Sequence, residues 1–159
     1  MYETFQVIAA VAEKKTKILN KSIFNYLILA FFGGLFIGFG MLTFIVLGGL
    51  LSPSETPMLK VIQAAVFGVA LCMVTIGGVD LFTGNNLILT IGALEKKNTW
   101  FDLIKIWTVS FSGNFVGAYF CAWLLFMTGY VVGDLAVYVE KVTIIKTTAS
   151  TTDFLFRGI

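Results

Sequence analysis

A carboxylate, a hydroxyl and two carboxamides crowd into Gly77-Gly78-Val79-Asp80-Leu81-Phe82-Thr83-Gly84-Asn85-Asn86, inside an otherwise apolar run. Asp80 there has two chemistries open to it. It can relay a proton, or it can sit in a tight loop and accept hydrogen bonds from backbone N–H groups that a helix break frees. The second is expected, because an acid at membrane depth is costly unless it is satisfied. Thr83 offers a hydroxyl where the backbone turns, to a ligand or to the loop itself. Asn85 or Asn86 is expected to cap a following half-helix, whose positive dipole end would favour a small anion. Lys146 is either a fixed positive charge near such a path or a lysine snorkelling to the membrane interface.

The elements that must hold these groups follow from the apolar runs around them. From Val61 to Leu94 the only charge is Asp80. One helix of that length would measure about 51 Å at roughly 1.5 Å per residue, against a hydrocarbon core of about 30 Å. Three glycines, an acid and two asparagines in ten residues are loop chemistry. The segment is therefore expected to be two helices, about 61–76 and 86–94, joined by a loop over 77–85. Irregular backbone at that depth persists only where protein or water covers it, which points to a substrate path.

The whole composition fits a membrane protein: 58% hydrophobic residues, 13% charged and a mean hydropathy of +0.92. Ser22 to Ser54 and Ile106 to Gly133 carry no charge, and each exceeds the roughly 20 residues needed to cross a bilayer. The first run is too long for a cleavable leader and lacks a small-residue cleavage site. Spans are thus expected at about 22–51, 61–94 (broken at 77–85) and 106–133. Residues 1–21 precede them as an amphipathic segment, with Phe5, Ile8, Ala9, Ala12, Ile18 and Leu19 at helical spacing opposite Glu13, Lys14 and Lys17. Such a helix is expected to lie on the cytoplasmic leaflet or to pack on neighbouring subunits. The glycines of the first and third runs, Gly33, Gly34, Gly38, Gly40, Gly113, Gly117, Gly129 and Gly133, are expected to be close-packing positions. Trp100 and Trp107 are expected at the inner interface.

Asp-Leu-Phe-Thr-Gly, preceded by glycines within a broken apolar segment, resembles the signature of the formate/nitrite transporter family. Phe67 and Leu71, thirteen and nine residues before Asp80, match the spacing of that family's pore-narrowing pair. Trp107, Gly113-Asn114 and Gly117 resemble its third span, and Lys146 lies twelve residues before Gly158, where the family has a pore lysine. Val79 departs from the pattern, which more often has a small residue there. The resemblance runs from about Lys14 onward and implies an all-α membrane protein. Its fold would be a transmembrane helix bundle with a broken second span, one half of an aquaporin-like inverted-repeat fold. It also implies a pentameric channel for formate, nitrite or hydrosulfide. In that channel Thr83 would bond the anion opposite a histidine of the second half. Leu81 and Phe82 would form an inner constriction, Phe67 and Leu71 an outer one, and Lys146 would compensate the anion's charge. Gly77, Gly78, Asp80, Asn85 and Asn86 would build the loop. The family has six spans in two inverted halves; this chain supplies one half and the start of a fourth span in Phe154 to Ile159, and it reads as a fragment.

Other functions fare poorly on inventory. No histidine is present, and two mid-span cysteines, Cys72 and Cys121, cannot complete a structural zinc site. No metal, no cofactor and no enzymatic activity are expected. The lysines flank spans and form no basic patch, so no nucleic-acid partner is expected either. Lys14, Lys15, Lys17, Lys21, Lys96, Lys97 and Lys105 are seven of the 11 basic residues, and they fall on one side. The positive-inside rule then puts the N-terminus in the cytoplasm, and the family resemblance implies a bacterial inner membrane. A non-transporting membrane anchor is the alternative, but a mere anchor needs no broken helix with a buried acid.

Overall fold

The computed structural model describes residues 2–54 and 56–157. Seven helices run through them: α1 Tyr2–Lys21, α2 Ile23–Leu51, α3 Leu59–Gly77, α4 Phe82–Leu94, α5 Trp100–Met127, α6 Gly133–Thr147 and α7 Thr151–Arg157. No strand occurs among the described residues. Three helical stretches, Ile23–Ser54, Leu59–Gly77 and Trp100–Met127, are long and apolar enough to cross a bilayer.

Local chemistry sets the boundaries. Ser22 caps α2 by accepting the Asn25 N–H at 3.2 Å. Thr99 and Asp102 close a reciprocal capping box at the start of α5. That box starts the third span six residues before the uncharged run begins. The span also stops at Met127, before the run ends, because Gly129 (φ 65°) and Gly133 (φ 56°) take left-handed turns. These two glycines serve turns and not close packing, a correction to the expectation for 106–133. Beyond them, α6 is a further helix where only mixed sequence was legible. It docks on the C-terminal end of α2, where Gly48 and Gly49 leave room for Tyr138 and Leu135. The buried Gln63 of α3 secures it, donating to Phe44 O at 2.8 Å and to the Tyr138 hydroxyl at 2.9 Å.

The centre of the bundle is a contact of backbone on backbone. A Cβ built on Gly34 would lie 2.0 Å from the Asn114 carbonyl oxygen, and one on Gly117 would lie 2.0 Å from that of Phe31. Gly33, Gly38 and Gly113 are similarly filled by Asp80, Cys121 and Ala30. Helices α2 and α5 therefore touch along a glycine seam, which association in lipid favours because apolar side chains gain nothing there over lipid tails.

Helix α1 does not spend its apolar face on lipid. Ala9, Ala12 and Leu19 are buried, and Ala12 and Leu19 join Tyr26, Leu89, Ala93, Leu103 and Ile106 in one cluster. Gly92 of α4 admits Ala12 at a distance that any side chain would close. The apolar stripe is used within the chain. The opposite face keeps the Glu13–Lys17 ion pair at 2.6 Å, and the Lys17 ammonium holds the Glu13 carboxyl below its ordinary range.

A pair of glycine substitutions separates seam from surface. Gly117→Ala should destabilise the bundle by about 1–3 kcal/mol, since its new methyl meets immovable backbone. Gly68→Ala, with nothing within 4 Å of the new Cβ, should be neutral or stabilising by up to about 1 kcal/mol. Thermal unfolding in detergent measures both, and equal effects would refute the seam.

Candidate functional site

The second span breaks over four residues. Helix α3 ends where Gly78 adopts φ 60°, with its N–H and that of Val79 turning back to Thr75 O and Val74 O at 3.3 Å each. Gly78 has open space around it and supplies only the left-handed turn. Asp80 then leaves the helix entirely, its N–H bonding Leu29 O of α2 at 3.2 Å, and α4 starts at Phe82. The break is thus 78–81 and not 77–85. Gly77 ends α3, while Thr83, Asn85 and Asn86 lie within α4.

Neither asparagine caps α4, which corrects the expectation. The cap position is Leu81, which has no capping side chain, and the Phe82 N–H is bonded across the bundle by Asn114 Oδ1 of α5 at 2.8 Å. Asn85 is wholly buried one turn into α4, and Asn86 is exposed. Helix geometry explains the difference: Asn85 sits five residues after Asp80, where its Nδ2 reaches back to Asp80 Oδ2 at 2.8 Å.

The Asp80 carboxylate is held by side chains and not by freed backbone amides. Oδ1 accepts from the Tyr26 hydroxyl of α2 at 2.9 Å and from the Lys15 ammonium of α1 in a close ion pair. Oδ2 accepts from Asn85 and from the Ser110 hydroxyl of α5 at 2.6 Å. Four helices converge on one acid that is 4% exposed. Lys15, Tyr26 and Ser110 were missed in the sequence because each lies 30 to 65 positions away in the chain.

On the other side of the break lies a cavity of about 470 Å³, walled by α2, α3, α5 and the start of α4. Phe67, Leu71, Leu81, Phe82 and Thr83 all line it, together with Gly34, Asn114, Phe111 and Phe115. Phe67 and Leu71 share a face of α3 one turn apart. Phe82 stands edge-on to Phe111, with ring centroids 5.5 Å apart, and to Trp107 at 6.1 Å. Trp107 therefore packs against the start of α4, and Trp100 is exposed. Thr83 and Asn114 bring the hydrogen-bonding side chains to this apolar wall. Thr83 also belongs to the first turn of α4, whose N–H groups lack helical partners and carry the positive end of the dipole.

Lys146 is not brought to this cavity. It is exposed in the last turn of α6, and no lining residue comes from that helix. Gly158 and Ile159, from which its spacing and the fourth span were read, lie outside the described residues, as does Glu55 of the loop after α2.

A bundle of membrane-length helices, with one span broken around a buried acid and opening on a cavity of few polar groups, defines one repeat of a membrane transporter or channel. The formate/nitrite transporter family model matches residues 2–159, and the chain belongs to that family. It is 37% identical to a probable formate transporter of Methanothermobacter thermautotrophicus over 83% of this chain and 48% of that protein. It is 31% identical to the nitrite transporter NirC of Salmonella typhimurium, over 98% of this chain and 57% of the other. A solved structure described as an FNT family ion channel superposes with a TM-score of 0.86 at 29% identity, covering 96% of this chain and 60% of that one. The chain spans about half the length of the curated relatives it matches. Family and neighbours are transporters and channels, not enzymes.

The convergence on Asp80 has a measurable consequence. Asp80→Ala strips the acceptor from four buried or half-buried donors and should cost about 3–5 kcal/mol, the usual result of removing one partner of a buried pair. Lys15→Ala should cost less, because Tyr26, Asn85 and Ser110 still solvate the carboxylate. Unfolding midpoints in detergent give the order, and a larger loss for Lys15→Ala would overturn it.

Proposed function

We propose that this chain forms one half of a channel that passes small monovalent weak-acid anions, formate, nitrite or hydrosulfide. The observation that carries the reading is the cavity at the break. It gathers Phe67, Leu71, Leu81 and Phe82 around the Thr83 hydroxyl at the N-terminal end of a half-helix. Apolar walls oppose a hydrated ion and gate by dewetting. A weak-acid anion crosses such a wall when it sheds water and finds a hydroxyl and a helix dipole in exchange. Thr83 supplies the first and α4 the second. Leu81 and Phe82 narrow the path on one side of that point, Phe67 and Leu71 on the other. Lys146 acts from a distance, as a positive charge on the α6 side that draws anions toward the mouth.

The same reading has the protein as a homopentamer in the plasma membrane with its N-terminus in the cytoplasm, on the side of the seven clustered lysines. A repeat of the relatives' remaining length covers the open side of the cavity. Leu71, Thr83, Phe111 and Phe115 are exposed there in the single chain, which supports the need for that cover. A mere membrane anchor would need neither the break nor the network that holds it.

Flux into proteoliposomes tests the path. In the assembled full-length channel, Phe82→Ala should raise leak or loosen selectivity, because a bulky apolar gate is removed. Thr83→Val keeps the shape without the hydroxyl, and should slow anion flux by about tenfold, the upper range for one hydrogen bond. Unchanged flux and selectivity in both variants would mean that the anion travels elsewhere. Residues 1–159 alone should give no selective flux, since an anion site between inverted repeats needs both half-helix ends. Selective flux from this segment at the rate of a six-span relative would overturn the two-half path.

A further inference from the structure

We infer that Asn114 is a positioning residue for anion selectivity, which aims the Thr83 end of α4 into the path. The inference rests on the proposed anion path and names a residue that the reading above does not use. Every hydrogen-bonding group of the Asn114 carboxamide but one acceptor lone pair is committed. Nδ2 donates to Ala30 O of α2 at 2.7 Å and to Asp80 O of the break at 2.9 Å, while Oδ1 accepts the Phe82 N–H at 2.8 Å. One side chain thus supplies, from a different helix, partners for the Asp80 carbonyl within the break and for the Phe82 N–H where α4 begins. Thr83 follows Phe82 directly, so the bond to Phe82 fixes where the Thr83 hydroxyl stands relative to Phe111 and Phe115, which share the α5 wall with Asn114.

The break has two anchors, and they face opposite ways. Asp80 turns its carboxylate away from the cavity, into a buried site among Lys15, Tyr26, Asn85 and Ser110. Asn114 is half-buried and lines the cavity itself. The difference decides what each anchor does. Removing the Asp80 carboxylate strips a shared acceptor from side chains of four helices, so losing that anchor costs stability. Water in the cavity can satisfy the Phe82 N–H and the Asp80 carbonyl if Asn114 is removed, but it cannot hold them at a fixed position. Asp80 holds the break; Asn114 aims it. The close approach of Gly33 and Gly34 to Asp80 O and Asn114 O lets a short carboxamide span α2, the break and α5 at once.

The test uses the assembled full-length channel in proteoliposomes, with Asn114→Ala and Asn114→Asp. The second keeps the acceptor for Phe82 and replaces the two donors by an oxygen facing carbonyls. Three quantities are read: the relative fluxes of formate, nitrite and hydrosulfide, the thermal midpoint in detergent, and labelling of the Thr83→Cys variant by a small charged thiol reagent with and without Asn114→Ala. A positioning role shifts the flux ratios by about tenfold, the worth of one hydrogen bond, in Asn114→Ala. It also changes the labelling rate, and leaves a midpoint closer to the parent than that of Asp80→Ala. Asn114→Asp carries the flux test if the alanine variant fails to assemble. Unchanged ratios and labelling overturn the inference, as does a lowered midpoint with parental ratios in the surviving channels, which marks a purely structural clamp. If Phe82→Ala and Thr83→Val also leave flux unchanged, the path itself is wrong; if those two alter flux and Asn114 variants do not, only this inference fails.

Discussion

A single buried carboxylate organises this helix bundle. Asp80 cannot stay ionised at membrane depth unless donors surround it, and the donors come from four separate helices: Lys15 on α1, Tyr26 on α2, Asn85 on α4 and Ser110 on α5. Satisfying one acid therefore fixes the mutual placement of most of the bundle. It explains why α1, by composition an interfacial helix, is drawn against α4 and not left free on a membrane surface. It also explains how a span can break at all. The Asp80 N–H is taken up by Leu29 O, and the Asp80 carbonyl and the Phe82 N–H are taken up by Asn114.

The glycine seam between α2 and α5 is the second half of the same device. A break in mid-membrane needs partners within hydrogen-bond reach, and backbone carbonyls such as Leu29 O and Ala30 O reach it only if the helices nearly touch. Gly33, Gly34, Gly113 and Gly117 provide that proximity. Close packing and polar satisfaction are coupled here, since a methyl group on the seam would move the break's partners away. The result is a wall with a cavity on one face and a buried ionic cluster on the other.

This arrangement divides labour in a way that suits selective passage. Groups with full charge, Asp80 and Lys15, neutralise each other away from the cavity. The cavity itself keeps aromatic and aliphatic walls, the Thr83 hydroxyl and a carboxamide whose bonds are committed to backbone. No carboxylate lines this cavity, whose polar side chains are those of Thr83 and Asn114. Membership of the formate/nitrite transporter family agrees with such a site, and the superposition on a solved channel of that family extends over 96% of the chain.

Much of the fold was legible in the chain because hydrophobic length and charge exclusion are local properties. The apolar runs gave three membrane-length helices, and the glycines around Asp80 gave the break, since no continuous helix of that length fits a bilayer. The family signature carried Phe67, Leu71, Leu81, Phe82 and Thr83, and tertiary structure collects these five on one cavity. What composition could not determine was who satisfies whom. Asn85 and Asn86 read equally well as caps, and only the fold distinguishes them: one meets Asp80 and Ser110 in the core while the other faces outward. Lys15 looked like one more flanking lysine, and Asn114 like an ordinary span residue. Hydrogen-bond partners 30 to 84 positions apart depend on how helices pack, and glycine spacing marks a close contact without saying which helix fills it. The sequence by itself determined where the membrane helices run and where one must fail; tertiary structure alone decided which side chains make that failure stable.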